Sequence, residues 1–197
     1  DKQLIKSIRE GIRPDGSLIG PPMPYEFYRE LSDRDVKAIV AYLRNVKPVK
    51  NKVAKSVYRI PLPKSYGPPV GNVADIDSGD KVKYGRYLTG PAGHCLSCHT
   101  PMIKGQFDFE NQLGRGGQPF EGPWGISIAR NITSHKSDGL GSWTDAEIKK
   151  AITQGIRRDG TKLFPPMGYH YYKNIRDDDL SAIIAYLRTI KPLPALK

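Results

Sequence analysis

The stretch GHCLSCHT, residues 93–100, decides the fold of this chain. Two cysteines separated by two residues, with a histidine directly after the second, form the attachment pattern of a covalently bound c-type haem. The spacing has a chemical reason, because one turn of chain lets both thiols reach the two vinyl groups of one porphyrin and brings the next imidazole under the iron. The pattern predicts Cys95 and Cys98 as thioether anchors and His99 as the proximal ligand.

Two other kinds of site also use paired cysteines. A zinc site needs about four ligands, and no second paired motif is present to complete Cys95, Cys98 and His99. A thioredoxin-like dithiol is expected within a βαβ unit, and no strand and helix alternation surrounds Cys95; a plain disulfide is the remaining alternative. Because these are the only two cysteines in the chain, a haem accounts for both thiols and is the favoured interpretation.

The composition of the 197-residue chain is that of a globular protein with one or two small domains. The 20 glycines and 17 prolines predict long structured loops between few helices. The net charge of +11 predicts an acidic partner surface. We interpret the Lys and Arg residues as scattered among Asp and Glu, without an aromatic platform, so nucleic-acid binding is not expected. No apolar run approaches the ~20 residues that span a bilayer.

An internal repeat relates the two ends of the chain. A shift of 144 residues aligns the first 48 residues with residues 145–192 without a gap, and about half of the aligned positions are identical. The turn GIRPDG at 11–16 falls on GIRRDG at 155–160, and Met23 falls on Met167, each after two prolines. Each copy is predicted to form a helix, a loop and a second helix.

Helix signals in the second copy are clear. Residues 145–154 are predicted to be helical, with Thr144 as N-cap and Glu147 completing a capping box. The last helix is predicted to begin near Arg176, with three aspartates in its first turn. Its predicted buried stripe consists of Leu180, Ile183, Ile184 and Leu187.

Between the copies the pattern is less regular. Residues 51–80 are rich in proline and glycine and are predicted to be an irregular linker between two units. A short helix from about Ser78 to Leu88 is predicted to lead into the cysteine motif. Residues 101–142 contain many glycines and no hairpin signal, and we expect a long loop over the haem edge. Helices separated by such loops predict an all-α fold.

Methionine is the favoured sixth ligand of the iron. Met102 lies too close to His99 in the chain to reach the opposite haem face. Met167 follows two prolines in a loop, where a methionine whose only role is hydrophobic packing is unexpected. His170 is the alternative and would give bis-histidine ligation. The first copy repeats the methionine, as Met23, but has no histidine at the position of His170, so the repeat favours Met167.

Several motifs together resemble a class I c-type cytochrome. They are GRYL at 85–88, the cysteine motif at 95–99, NIT at 131–133, GSWTD at 141–145, PM at 166–167 and AYLR at 185–188. More narrowly, the chain resembles the multi-haem cytochrome c subunits of bacterial periplasmic dehydrogenases for alcohols, gluconate and aldehydes. The resemblance implies a complete all-α cytochrome c unit at residues 81–197, after the linker at 51–80. It also implies that residues 1–50 are the C-terminal half of a similar unit whose haem motif lies outside the chain. The alternative is a degenerate unit that has lost its haem, and the retained PPM at 21–23 favours the first interpretation.

The resemblance carries site residues with it. It implies that Cys95 and Cys98 hold one haem c, that His99 and Met167 ligate its iron, and that Met23 ligates a further haem if the missing N-terminal part is present. The helix leading to the haem motif is expected to cross the last helix, so that Gly85 or Tyr87 meets Tyr186. Relatives usually carry a proline where this chain has Arg130, and Arg130 is a candidate partner of a haem propionate.

The implied function is electron transfer rather than catalysis. Such a subunit relays electrons from a dehydrogenase subunit to a downstream acceptor, either quinone or a terminal oxidase. Haem attachment implies export to the periplasm, with any leader already removed and with membrane association through the complex. Two alternatives are a peroxidase-like or sulfur-oxidising haem enzyme in which Met167 is displaced, and a docking subunit in which the haem only stabilises the fold.

Overall fold

Helices account for most of the regular structure, as the sequence predicts. The computed structural model describes residues 1–196. The chain divides into two units, Asp1–Ile76 and Asp77–Lys197, each with its own buried residues.

The first unit contains three helices. They are α1 at Lys2–Glu10, α2 at Tyr25–Tyr28 and α3 at Asp33–Asn45. Its buried hydrophobic residues are Tyr25, Phe27, Leu31, Val36 and Val40. The buried Arg9 connects α1 to the start of α3, because its Nη1 lies 2.7 Å from Oδ1 of Asp33.

The segment after α3 has no helix or strand up to Ile76. It nevertheless packs on the first unit at several points. The ring of Tyr66 stacks on Tyr25 with 4.5 Å between centroids, and the backbone N–H of Gly20 donates to the Tyr58 hydroxyl at 2.8 Å. Most of the predicted linker is therefore irregular, as expected, and is held against the first unit.

The second unit contains five helices among the described residues. They are α4 at Lys81–Tyr87, α5 at Cys95–His99, α6 at Asp145–Gln154, α7 at Tyr169–Tyr172 and α8 at Asp177–Leu187. A π-helical turn at Leu88–Ala92 follows α4 directly. The helix predicted from about Ser78 begins three residues later, because the Asp80 carboxylate accepts the backbone N–H of Lys83 at 3.0 Å and caps it there.

Helices α4 and α8 cross at a glycine. A Cβ atom on Gly85 would overlap the carbonyl oxygen of Ala182 and lie 2.9 Å from Cβ of Tyr186, so the backbones approach closely only because residue 85 has no side chain. This confirms the predicted contact between Gly85 and Tyr186. The buried residues of α8 are Leu180, Ala182, Ile183, Ile184, Tyr186 and Leu187, which include the whole predicted stripe.

Helix α6 begins and ends as the sequence predicts. The Thr144 hydroxyl accepts the backbone N–H of Glu147 at 3.2 Å, and the Glu147 carboxylate accepts the backbone N–H of Thr144 at 2.7 Å. Gly155 ends the helix in the left-handed region at φ 66°.

The expectation of a strandless loop at residues 101–142 is wrong. Two antiparallel hairpins lie in this region. The first pairs β1 at Met102–Ile103 with β2 at Gln106–Phe107, and the second pairs β3 at Pro119–Gly122 with β4 at Gly125–Ile128. The first hairpin turns at Lys104 and Gly105, which have φ of 51° and 80°, the signs required by a two-residue hairpin turn.

The repeated sequences fold alike locally. Gly11 and Gly155 both end a helix with a left-handed backbone, at φ 67° and 66°. The N–H of Ile19 donates to the Gly11 carbonyl at 2.8 Å, and the N–H of Leu163 donates to the Gly155 carbonyl at 2.7 Å. The shift of 144 residues therefore relates hydrogen bonds as well as residue types.

Candidate haem-binding site

The two cysteines and the histidine of the motif lie on one short helix. Cys95, Cys98 and His99 share the single turn of α5, which starts after His94 in a left-handed conformation at φ 38°. Both cysteines are free and half-buried. The disulfide alternative is therefore wrong for this structure, and two thiols and an imidazole are presented from one turn.

A backbone carbonyl fixes the proton on His99. Its Nδ1 lies 2.6 Å from the carbonyl oxygen of Arg130. A carbonyl oxygen can only accept a hydrogen bond, so Nδ1 carries the proton and donates it. In a neutral imidazole this leaves Nε2 unprotonated, with its lone pair available to a metal.

A close approach of two backbone segments supports this arrangement. The N–H of Gly116 donates to the His99 carbonyl oxygen at 2.8 Å. A Cβ on Gly116 would lie 2.5 Å from the carbonyl carbon of Arg130 and 2.6 Å from the carbonyl oxygen of Ala129. Gly116 also has φ of 75°, so both its space and its backbone conformation require glycine.

Gln118 ties together the C-terminal end of α5. Its side-chain Nε2 donates to the carbonyl oxygen of Ser97 at 2.7 Å and also to that of Thr100. These carbonyls would otherwise lack partners at the end of a helix. Gln118 was not predicted as a site residue, because the residues around it in the sequence do not indicate a contact with residues about 20 positions earlier.

The small number of possible metal ligands argues against a zinc site, which needs about four. Burial raises the pKa of Cys95 to about 11 and also raises the pKa of Cys98, so both are thiols at neutral pH. Burial lowers the pKa of His99, partly offset by its bond to Arg130. Within residues 1–196, no three His, Cys, Asp or Glu side chains form a metal-binding group.

The candidate distal ligands lie on other elements. Met167 is half-buried in the loop between α6 and α7, and its N–H donates to the Phe164 carbonyl at 3.4 Å. His170 is exposed on α7, with its ring 4.1 Å from that of Tyr171. Met23 occupies the equivalent half-buried position between α1 and α2, in the first unit. The structure thus places the three residues of the motif on one helix. Ligation by either methionine stays a prediction.

The stretch NIT has a structural role in the described chain. The buried Asn131 donates from its side-chain amide to the Leu193 carbonyl at 2.7 Å, and its Oδ1 accepts the Thr133 hydroxyl at 2.7 Å. This holds the chain after α8 beside the segment that supplies the Arg130 carbonyl. The Arg130 side chain itself is exposed.

A c-type haem fits this donor set, which consists of two free thiols and an imidazole with an available Nε2 on one helical turn. A sequence profile described as cytochrome c matches residues 82–191. The chain belongs to the cytochrome c family. Membership of this family implies covalently bound haem c and the role of an electron carrier rather than a catalyst.

Similar proteins include three dehydrogenase subunits. This cytochrome is 33% identical to the fructose dehydrogenase cytochrome subunit of Gluconobacter japonicus, over 96% of this chain and 40% of that protein. It is 30% identical to the gluconate 2-dehydrogenase cytochrome c subunit of Pantoea cypripedii, over 94% and 46%. It is 32% identical to the cytochrome c subunit of the quinone alcohol dehydrogenase of Gluconacetobacter polyoxogenes, over 96% and 44%. The chain spans less than half the length of these relatives.

None of the described helices combines the length and the apolar character needed to cross a membrane.

Proposed function

We propose that this cytochrome is the electron-carrying subunit of a periplasmic dehydrogenase complex. It collects electrons from a dehydrogenase subunit and passes them to quinone or a terminal oxidase. The observation that carries the proposal is the α5 site, where Cys95, Cys98 and an imidazole with a free Nε2 stand on one turn. The names of the similar proteins support the assignment to a dehydrogenase complex.

In this proposal Cys95 and Cys98 hold the haem, and His99 and Met167 ligate its iron. The haem supplies a one-electron centre whose potential is higher with a methionine ligand than with a second histidine. Ligation by both side chains would leave the iron no position for a substrate, which suits electron transfer. The exposed Arg130 side chain is the candidate partner of a haem propionate.

Replacing Met167 by alanine tests the distal ligand. The oxidised wild-type protein should show the near-infrared charge-transfer band of methionine-ligated haem, and Met167→Ala should abolish it. His170→Ala is the matched control, because His170 is exposed three residues away, and it should leave the band unchanged. Loss of the band in His170→Ala alone would contradict methionine ligation.

We also propose that residues 1–50 are the C-terminal half of a second cytochrome unit. One face of α3 is uncovered in the first unit, and the exposed fraction of Tyr42 is 72%. Its counterpart on α8, Tyr186, is only 9% exposed. The same contrast applies to the exposed residues Ile39, Leu43 and Val46 and their buried counterparts Ile183, Leu187 and Ile190.

The covered face of α8 indicates what would cover α3. In the second unit, α4 packs on α8 through Gly85. A helix equivalent to α4, from a longer chain, would cover α3 in the same way and would precede a further haem motif. Met23 would then ligate that second haem, as Met167 does the first. The greater length of the similar proteins is consistent with such a chain.

The haem-to-protein ratio tests the second unit. Intact mass and haem content should be measured on the protein purified from its natural source. Two or more haems on a polypeptide heavier than 22.0 kDa are expected. One haem on a mature chain of 22.0 kDa would contradict the proposal without affecting the assignment of His99 and Met167.

The charge of the chain bears on its partners. A net charge of +11 attracts an acidic docking surface and accelerates association at low ionic strength. Electron transfer from the dehydrogenase subunit should therefore slow as salt is added. A rate that does not depend on salt would exclude an acidic docking surface.

A further inference from the structure

We propose that residues 49–64, the basic segment, bind the surface of an anionic lipid bilayer directly. This inference does not depend on how the iron is ligated. Positive charge is distributed less evenly along the chain than we inferred from the sequence pattern. Residues 36–74 contain eight Lys and Arg and no Asp or Glu, so they hold 8 of the 11 net positive charges. The rest of the chain has 23 cations against 20 acids.

Three cations of the basic segment are exposed and unpaired among the described residues. Lys50, Lys52 and Arg59 are exposed, and none of the three has a hydrogen bond or an ion pair within the part of the chain that the structure describes. Lys55 is also exposed and contributes to lowering the pKa of Asp15, after the hydrogen bonds from Ser17 to that carboxylate. The positive charge is therefore available to an external anion.

Exposed aliphatic side chains alternate with these cations. The exposed fractions of Val53, Val57 and Ile60 are 80%, 91% and 57%. The segment has no helix or strand of its own, and its attachment to the first unit is through the Tyr58 hydroxyl, which accepts from Gly20. The attachment of Tyr58 leaves the two valines before it and Ile60 after it exposed to solvent, where they gain nothing from burial.

The chemistry of the segment fits lipid better than an acidic protein. Lysine is depleted in protein interfaces, which favour aromatic side chains, methionine and arginine. Lysine clusters bind anionic headgroups at about 1 kcal/mol per cation near the surface. Aliphatic side chains beside such cations can enter the boundary between headgroups and acyl chains. The basic segment combines both features and lies beyond the end of the repeat at residue 48, so it is not part of the repeated cytochrome pattern.

Vesicle sedimentation of the haem-loaded protein tests the proposal. We expect binding to vesicles of phosphatidylcholine with phosphatidylglycerol, little binding to phosphatidylcholine alone, and weaker binding as salt is raised. The triple variant Lys50→Ser, Lys52→Ser and Arg59→Ser should weaken binding about 100-fold, from the loss of three interfacial cations. The variant should fold normally, because these side chains have no partners; its haem spectrum checks this.

Two further variants separate the alternatives. The control Lys136→Ser, Lys150→Ser and Lys173→Ser removes the same charge from exposed positions in the second unit and should retain binding within a few fold. Val53→Ser with Val57→Ser should reduce the binding that persists at high salt.

Equal loss in the two triple variants would overturn the proposal, because net charge alone would then explain binding. Unchanged vesicle binding in the first triple variant, with slower electron transfer from the dehydrogenase subunit, would assign the segment to an acidic protein instead.

Discussion

At the scale of single residues, the bond from His99 Nδ1 to the Arg130 carbonyl orients the imidazole that we propose as the proximal ligand of the iron. A histidine that donates a hydrogen bond from Nδ1 is a stronger electron donor through Nε2 and stabilises oxidised iron. Because the acceptor is a backbone atom, the bond does not depend on which side chain residue 130 carries. The residue that controls the position of this carbonyl is Gly116.

Gly116→Ala should therefore raise the reduction potential. The new Cβ would lie 2.5 Å from the carbonyl carbon of Arg130, so the carbonyl must move and the bond to His99 must weaken. The left-handed backbone adds a cost of about 1 to 2 kcal/mol, so stability should fall as well. Redox titration and chemical denaturation of the haem-loaded protein measure the two effects.

Gly160→Ala is the matched control for this prediction. Gly160 has φ of 81°, and no atom lies within 4 Å of a Cβ built there. Gly160→Ala should lose about 1 to 2 kcal/mol of stability from the left-handed backbone alone, with no change in reduction potential. Equal potentials in both variants would show that the Arg130 carbonyl does not tune the iron.

Sequence alone could predict the candidate residues for haem attachment. Cys95, Cys98 and His99 are selected by type and spacing because thioether formation and iron ligation require such side chains. Gly116 and Arg130 act through the backbone, and any sequence has a carbonyl at every position. Their roles depend on which segments meet in the fold, which a local pattern does not encode.

At the scale of elements, the helices were predictable because their ends carry local signals. Helix α6 has its capping box and its closing glycine within its own sequence. The hairpins were missed because strands of two to four residues have no period to detect, and their stability comes from neighbouring segments. The pair Lys104 and Gly105 was one available turn signal, since glycine there permits a positive φ.

The capping box of α6 should make stability depend on pH. The backbone N–H of Thr144, followed by its hydroxyl, lowers the pKa of Glu147 below 4.5. A lowered pKa contributes stability that is complete above the ordinary value and is lost as pH falls through the folded value. The difference in unfolding free energy between wild type and Glu147→Gln should therefore shrink as pH drops below 4.5, as measured by denaturation at several pH values.

Glu110→Gln provides the comparison. Glu110 is exposed and has no hydrogen bond or ion pair among the residues that the structure describes. Its substitution should give a small difference that does not vary over the same range. If Glu147→Gln behaved in the same way, the capping bond would not distinguish the charged carboxylate from a neutral amide.

At the scale of the whole molecule, the same sequence pattern is used in two environments. The motif AYLR lies at 41–44 on α3 and at 185–188 at the C-terminal end of α8, where Arg188 is the C-cap. On α8 it is covered by α4, whereas on α3 it faces outward. A repeat therefore predicts local structure, whereas the burial of each apolar face depends on the rest of the chain.

Alanine at the two equivalent tyrosines should reveal this difference. In the 197-residue chain, Tyr186→Ala should lower the free energy of unfolding by about 3 to 5 kcal/mol, because it leaves a cavity at a buried position. Tyr42→Ala should change stability by less than about 0.5 kcal/mol, since the side chain is 72% exposed. In a longer chain that supplies a helix equivalent to α4, the cost of Tyr42→Ala should approach that of Tyr186→Ala. A small cost at Tyr42 in both chains would mean that its face stays uncovered and that residues 1–50 are not half of a complete unit.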